Sequence, residues 1–172
     1  MKHQNIEFKK LEESDLLNLH KWLNTPHVIA SYEKKPSTFE EVKSKYLTRI
    51  TGEDPTQSFV IIYDKKPIGY IQKYLVSDDP ELKNYVKGKS AGLDLFIGEP
   101  LYVHRGLGQQ ILKAFFKKHV FDDKNIESCI VDPLISNASA IRAYEKSGFK
   151  HFKTTEDQDP KYLMIIYRHK IL

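Results

Sequence analysis

The sequence predicts a mixed α/β (α+β) fold, with a central mixed β-sheet of about seven strands flanked by four helices. Two observations predict it. Apolar residues recur at helical spacing in four segments, and runs rich in β-branched and aromatic residues fall between them. The resulting order is strand, two helices, three strands, helix, strand, helix, two strands. That alternation places helices against a sheet rather than building a helical bundle.

Residues Ile6 to Lys10 form the opening strand. Ser14 is the expected cap of a first helix, in which Leu16, Leu19, Trp22 and Leu23 recur at helical spacing. Ser37 with Glu40 fits an S-x-x-E capping box that opens a second helix through Ile50, with Phe39, Val42, Tyr46 and Leu47 as its apolar side. Ser58 to Tyr63 and Pro67 to Val76 read as a hairpin turning at Asp64 to Lys66. A polar loop from Asp78 to Ser90 follows, then a strand from Ala91 to Ile97. Gly106 to Phe121 carries Leu107, Ile111, Leu112, Phe115, Phe116 and Val120, the face of a third helix. Ile126 to Val131 is a buried strand. Asn137 caps a helix through Lys146, and Gly148 stops it. Phe149 to Thr154 and Tyr162 to His169 complete the strands.

The 172 residues suit a single domain spanning 1–172, with no repeat and no linker rich in Gly, Ser or Pro. No apolar run approaches the roughly 20 residues of a membrane span, and no secretory signal opens the chain. One cysteine, Cys129, excludes an internal disulfide, so a cytoplasmic setting is expected. The net charge of +4 is spread along the chain, which argues against a nucleic-acid partner. The seven histidines show no ligand spacing, and no metal is expected.

The segment Val103-His104-Arg105-Gly106-Leu107-Gly108-Gln109 joins a strand to a strong helix. Its paired glycines let the backbone turn tightly, so that N–H groups at the positive end of the helix dipole face one point, a seat for a pyrophosphate. Arg105 can add a charge-assisted contact. It is neither a G-x-x-x-x-G-K-[ST] loop nor a G-x-G-x-x-G fingerprint, whose third glycine would fall at Ile111.

Together with N-x-x-A-x-x-x-Y-x-x-x-G-F from Asn137 to Phe149, this turn resembles the GNAT superfamily of N-acetyltransferases. Gly92-Leu93-Asp94, Phe96 to Pro100, Ala140 to Tyr144, and Pro67 to Tyr70 with Gln72 and Tyr74 are similar to its aminoglycoside 6′-N-acetyltransferases. Val103 departs from the Gln or Arg that many members carry there. The resemblance implies the GNAT fold with two central strands splayed apart. It implies acetyl-CoA as acetyl donor and no metal. Backbone groups of Leu95, Phe96 and Ile97 would bond the pantetheine arm, and amides from Val103 to Gln109 the pyrophosphate. Asn137 would contact the arm, whether or not it also caps its helix.

The chemistry implied is direct acyl transfer to a primary amine. An alkylammonium of pKa roughly 10 must lose a proton before it can attack. Asp94 takes the position of the catalytic carboxylate. With an ordinary pKa of about 4, it suits orienting the ammonium or passing its proton through water better than direct abstraction. Tyr144, at the usual tyrosine position, would touch the cofactor and hydrogen-bond the departing thiolate. Acidic and aromatic walls suit a polycationic sugar: Tyr32, Tyr70, Tyr74, Asp78, Asp94, Asp132 and Asp157, with Asp79, Glu81 and Asp159 as further acids. The acceptor is thus expected to be a small-molecule amine, an aminoglycoside, acted on by a monomer or homodimer. Two alternatives remain open: the same chemistry on a polyamine, siderophore precursor or protein amine, or a non-catalytic acetyl-CoA sensor.

Overall fold

Residues 5–171 are described by a computed structural model. Among these residues seven strands, β1 (Ile6–Lys10), β2 (Gln57–Tyr63), β3 (Lys66–Leu75), β4 (Ser90–Ile97), β5 (Ser128–Val131), β6 (Lys150–Thr154) and β7 (Tyr162–Tyr167), form one sheet in the order β1-β2-β3-β4-β5-β7-β6. The sheet is mixed: β4 and β5 run parallel, with Ser90, Ala91 and Gly92 opposite Ser128, Cys129 and Ile130, whereas β5–β7, β6–β7 and β1–β2 are antiparallel. Among the described residues five helices accompany it: α1 (Leu16–Leu23), α2 (Pro26–Val28), α3 (Phe39–Thr51), α4 (Leu107–Phe115) and α5 (Ala138–Lys146). The chain divides into two units, one ending at Gln72 and resuming over Asp94–Arg105, the other Lys73–Leu93 with Gly106 onward.

In the first unit, α1 and α3 bury Leu16, Leu19, Trp22, Leu23, Val42 and Tyr46 against Val60, Tyr70 and Phe96. Two starting points differ from the sequence expectation. Ser14 lies inside a short 3₁₀ turn, Glu13–Asp15, and the Asp15 carboxylate accepts from the Glu12 amide at 3.0 Å. The capping box of α3 is shifted one residue, to Thr38 and Glu41: Thr38 Oγ1 accepts from Glu41 N, and Glu41 Oε2 accepts from Thr38 N at 2.7 Å. Both S-x-x-E and T-x-x-E are present in the sequence, and α3 opens on the second. Thr38→Ala should therefore cost about 1 kcal/mol of stability, read as a lower urea midpoint.

The fifth helix, α2, and the π-helical turn after it, Ile29–Glu33, fill a stretch left without an element in the sequence. Pro26 at the start of α2 supplies the preset φ that makes so short a helix possible. The β2–β3 hairpin turns on Asp64 and Lys65, both left-handed (φ 45° and 67°), as the right-handed twist of a hairpin demands.

In the second unit, the long helix expected from Gly106 to Phe121 is regular only through Phe115 and finishes in a π-helical turn, Phe116–Val120. The turn keeps Phe116 and Val120 buried. Glycine at 106 is required by its φ of 72° at the N-cap. A smaller core joins Val76, Leu82 and Ile130 to Leu163 and Ile165 on β7, with Tyr74 against it. Cys129 is fully buried in β5.

Candidate active site

Asp94 leaves β4 half-buried, and its surroundings are built by α3 and β3 of the same unit. Gln72 Nε2 donates to Asp94 Oδ2 at 2.7 Å. The Gln72 carbonyl oxygen in turn accepts from Arg49 Nη1 at 2.5 Å and from the Tyr70 hydroxyl at 2.7 Å. Since the Tyr70 proton goes to Gln72, its oxygen accepts from Ser58 at 2.7 Å and from Arg49 at 3.2 Å. Arg49 is anchored behind by Asp54 at 3.2 Å and lies over the Tyr46 ring at 4.9 Å. Burial pushes the Tyr70 phenol up to about 12 despite the opposing Arg49 charge, so it stays a donor at neutral pH.

Tyr32 meets Phe96 edge to face at 4.9 Å, and Tyr70 stacks on Phe96 at 5.6 Å. Burial raises the Tyr32 phenol well above its usual value. The structure thus brings Tyr32, Tyr70, Asp94 and Phe96 together in one unit. It also corrects the role expected of Tyr70. That side chain is fully enclosed between Phe96, Tyr46 and the polar network, so it offers no face for a sugar ring and instead positions Gln72.

Farther along β4, the Ile97 carbonyl accepts from His27 Nε2 at 2.8 Å, which requires the tautomer protonated there. Gly98 N and Glu99 N both donate to Ile68 O, at 2.8 and 3.0 Å. Glu99 is clasped by Lys21 and by the Trp22 indole, both at 2.8 Å, and these donors hold its carboxyl below the usual range. The end of β4 is therefore tied to α1, α2 and β3.

The loop beyond leads through a 3₁₀ turn at Pro100–Tyr102 to extended Val103 and left-handed His104 (φ 61°). Arg105 lies 5.8 Å over the Tyr102 ring. In the second unit, the first turn of α4 has no side-chain cap, and a Cβ at Gly106 would meet nothing within 4 Å. The amides of Leu107, Gly108 and Gln109 thus sit at a helix start left open by its own side chains. Gln109 Nε2 donates to Lys146 O at 2.7 Å, so its side chain ties α4 to the end of α5. Gly108 faces Ala143, whose Cβ would lie 3.6 Å from a side chain there.

Asn137 caps α5 as expected, its Oδ1 accepting from Ala140 N at 3.2 Å. Tyr144, buried on α5, packs edge to face with Phe149 at 5.5 Å. Tyr74 is half-buried over Gly92, where any Cβ would fall 2.2 Å from its ring.

Of the expected substrate acids in this unit, Asp132 is paired with Lys161 at 2.8 Å, and Lys161 also reaches Glu81 at 2.9 Å. Burial raises the Asp132 carboxyl, with Lys161 opposing and Asp79 and Glu81 adding to the rise. Burial works against the Lys161 ammonium, but Asp132 and Glu81 outweigh it and keep it charged. Asp78 and Asp157 are exposed; each accepts from a neighbouring hydroxyl, Ser77 and Thr155 respectively.

Arg49, Lys161 and His27 were not foreseen from sequence. Gln72 stands out in the sequence only through the resemblance, although a glutamine between Tyr70 and Tyr74 in an apolar strand is itself a signal of a buried polar contact. Among the described residues, no group of three or more His, Cys, Asp or Glu is placed to hold a metal ion, and no helix is long and apolar enough to cross a membrane.

With this geometry in view, the chain can be set beside known proteins. It is 27% identical over 161 residues to aminoglycoside N(6′)-acetyltransferase type 1 of Klebsiella pneumoniae, covering 91% of this chain and 80% of that protein. A solved structure of the aminoglycoside acetyltransferase AAC(6′)-Ib with coenzyme A and kanamycin matches with a TM-score of 0.86 and 26% identity, over 96% of each chain. The spermidine N-acetyltransferase of Vibrio cholerae, solved with coenzyme A and spermine, shares the fold at a TM-score of 0.77 and 19% identity, over 96% of this chain and 97% of that one. Residues 12–156, a stretch that draws on both units, match the acetyltransferase (GNAT) domain, and the chain belongs to that acetyltransferase family.

Proposed function

We propose that this chain is an acetyl-CoA-dependent N-acetyltransferase whose acceptor is the 6′-amine of an aminoglycoside, and that both units belong to one acetyltransferase domain. The observation that carries the reading is the Asp94 carboxylate, held on β4 by the Gln72 amide and bordered by Tyr32 and Phe96. A carboxylate fixed this way attracts an ammonium and fixes where its nitrogen sits. Similarity to aminoglycoside 6′-N-acetyltransferases over most of the chain supports the acceptor class.

The uncapped start of α4, with open space at Gly106, fits a diphosphate. Amides from Val103 to Gln109 hold it, Arg105 adds charge, and backbone groups of Leu95 to Ile97 line the pantetheine arm together with Asn137. Acetyl-CoA supplies the acyl group: the amine nitrogen bonds the carbonyl carbon as the carbon–sulfur bond breaks and sulfur keeps the electron pair. Asp94 orients the ammonium and passes its proton to water. Tyr144 donates a hydrogen bond to the sulfur. Tyr32 and Tyr74 flank the sugar, and Asp132, Asp78 and Asp157 draw its other ammonium groups. The protein works in the cytoplasm, without nucleic acid or membrane, as a monomer or homodimer.

The test is acetyl-CoA turnover, followed as free thiol release, with kanamycin-like amines against polyamines and lysine peptides. Thiol release that depends on kanamycin is expected. Release with polyamines alone would change the acceptor, and cofactor binding without release on any amine would make the chain a sensor.

A further inference from the structure

We propose that Arg49 and Gln72 are positioning residues for Asp94, clamping the Gln72 amide in the one orientation that presents its NH₂ group to the carboxylate.

An amide side chain can rotate by half a turn, exchanging its acceptor and donor ends at little cost. Two donors converge on the Gln72 oxygen, Arg49 Nη1 at 2.5 Å and the Tyr70 hydroxyl at 2.7 Å, and the opposite end reaches Asp94 Oδ2 at 2.7 Å. Reversing the amide would set its NH₂ against a guanidinium, which has no acceptor. It would also set the amide oxygen against a carboxylate. Both contacts would be lost inside a site where Gln72 is buried, so the reversed form is strongly disfavoured.

Arg49 itself has little freedom. Its Nε donates to Asp54, and its plane covers the Tyr46 ring. The chain of contacts Asp54–Arg49–Gln72–Asp94 therefore runs from the end of α3 across β3 to β4, entirely within the first unit. Tyr32 from the turn after α2 and Tyr70 from β3 interact electrostatically with Asp94, and behind them Tyr46 and Arg49 of α3 pack against Tyr70. Burial keeps the Tyr32, Tyr46 and Tyr70 phenols neutral at neutral pH, so the positive charge bonded to Gln72 is that of Arg49. A donated hydrogen bond and a nearby cation both favour the ionised carboxylate.

The inference rests on the reading of Asp94 as the acceptor's carboxylate, but it can be tested apart from turnover. In protein labelled with ¹³C at aspartate carboxyls, with the Asp94 signal assigned by Asp94→Asn, the titration midpoint should rise by about one pH unit in Gln72→Met and in Arg49→Met. Arg49→Lys, which keeps a donor and a charge, should leave the midpoint close to that of the unaltered protein. The double variant should move the midpoint no farther than the larger single change, because both residues act through one carboxylate. In the turnover assay, kcat should fall by about 10-fold to 10²-fold, with the acid limb of the pH profile moving the same way and the KM for acetyl-CoA held. A core variant such as Val42→Ala should leave the midpoint alone. If Gln72→Met does not fold, the two Arg49 variants decide. A midpoint that stays put in the folded variants overturns the positioning role, even with kanamycin turnover intact. A shifted midpoint in a protein that turns over no aminoglycoside overturns the acceptor reading and leaves this one standing.

Discussion

Asp94→Asn should lower kcat by about 10²-fold to 10⁴-fold, the range of a lost proton-transfer group, while leaving the KM for acetyl-CoA near its starting value. The substitution is close to isosteric, and the Gln72 amide can still donate to the oxygen of an Asn side chain, so the thermal midpoint should barely move. What is lost is the negative charge that draws and aligns an ammonium. The split is diagnostic. A large rise in the acetyl-CoA KM with kcat preserved would place residue 94 in the cofactor seat and refute its assignment to the acceptor. A fall in melting temperature that accounts for the lost activity would reduce Asp94 to a structural acid. Steady-state kinetics in both substrates, with a parallel melting curve, separate the three outcomes.

The second large effect is on stability. Gly69→Ala should destabilise the protein by about 3 kcal/mol or more, a large share of the 5–15 kcal/mol that holds a typical domain together. A Cβ at residue 69 would lie 2.3 Å from the Phe96 carbonyl oxygen and 2.9 Å from the Ile97 Cα. Both are backbone atoms of β4, so no side-chain rotation relieves the clash; the strand must move. Gly98 is no freer to accept Ala, because a Cβ there would fall 2.1 Å from the Trp22 side chain. Gly106→Ala is the control. Its φ of 72° costs about 1–2 kcal/mol, but nothing blocks the side chain. Urea midpoints should therefore order the variants as Gly106→Ala above Gly69→Ala. The reverse order would mean that β3 and β4 do not approach as closely as described. Because β4 carries Asp94 on the same run as Phe96, residual activity of folded Gly69→Ala should fall as well.

Much of this architecture can be read from the sequence because local signals agree with the final packing. The β-branched and aromatic run of β2, the turn before β3, the Asn137 cap and the stop at Gly148 all work over a few residues, and tertiary contacts reinforce them. The misses have physical causes. Ser14 and Ser37 look like caps, but Ser14 falls inside a 3₁₀ turn whose box pairs Glu12 with Asp15, and Thr38 with Glu41 caps α3 one residue later. The short α2 and the π-helical turn after it leave no periodic trace long enough to recognise, and the π-helical turn at Phe116–Val120 shares the apolar pattern of the helix it ends. For the site, the motifs around Asp94 and Tyr144 were visible, whereas their supporting contacts were not. Arg49 is one basic residue among many until α3 is laid against β3. Lys161 is 29 residues beyond Asp132 in sequence, and only the turn of the chain before β7 brings it back to that acid. Tyr70 was legible as an aromatic residue in the right strand. Its enclosure, which changes its role, depends on Phe96 and Tyr46, both remote in sequence.

Helix α5 is nine residues long and pinned at both ends, by the Asn137 side chain at its start and by Gln109 on its final carbonyls. Each residue along a helix rotates the next by about 100°, so seven steps return close to the original heading. Asn137 and Tyr144 are seven steps apart, and the clasp that begins the helix thereby sets the compass bearing of the phenol. A one-residue slip at the clasp would swing that phenol by more than a quarter turn, and the grip at the far end resists it. The aim of Tyr144 is thus a property of two distant fastenings as well as of its packing on Phe149.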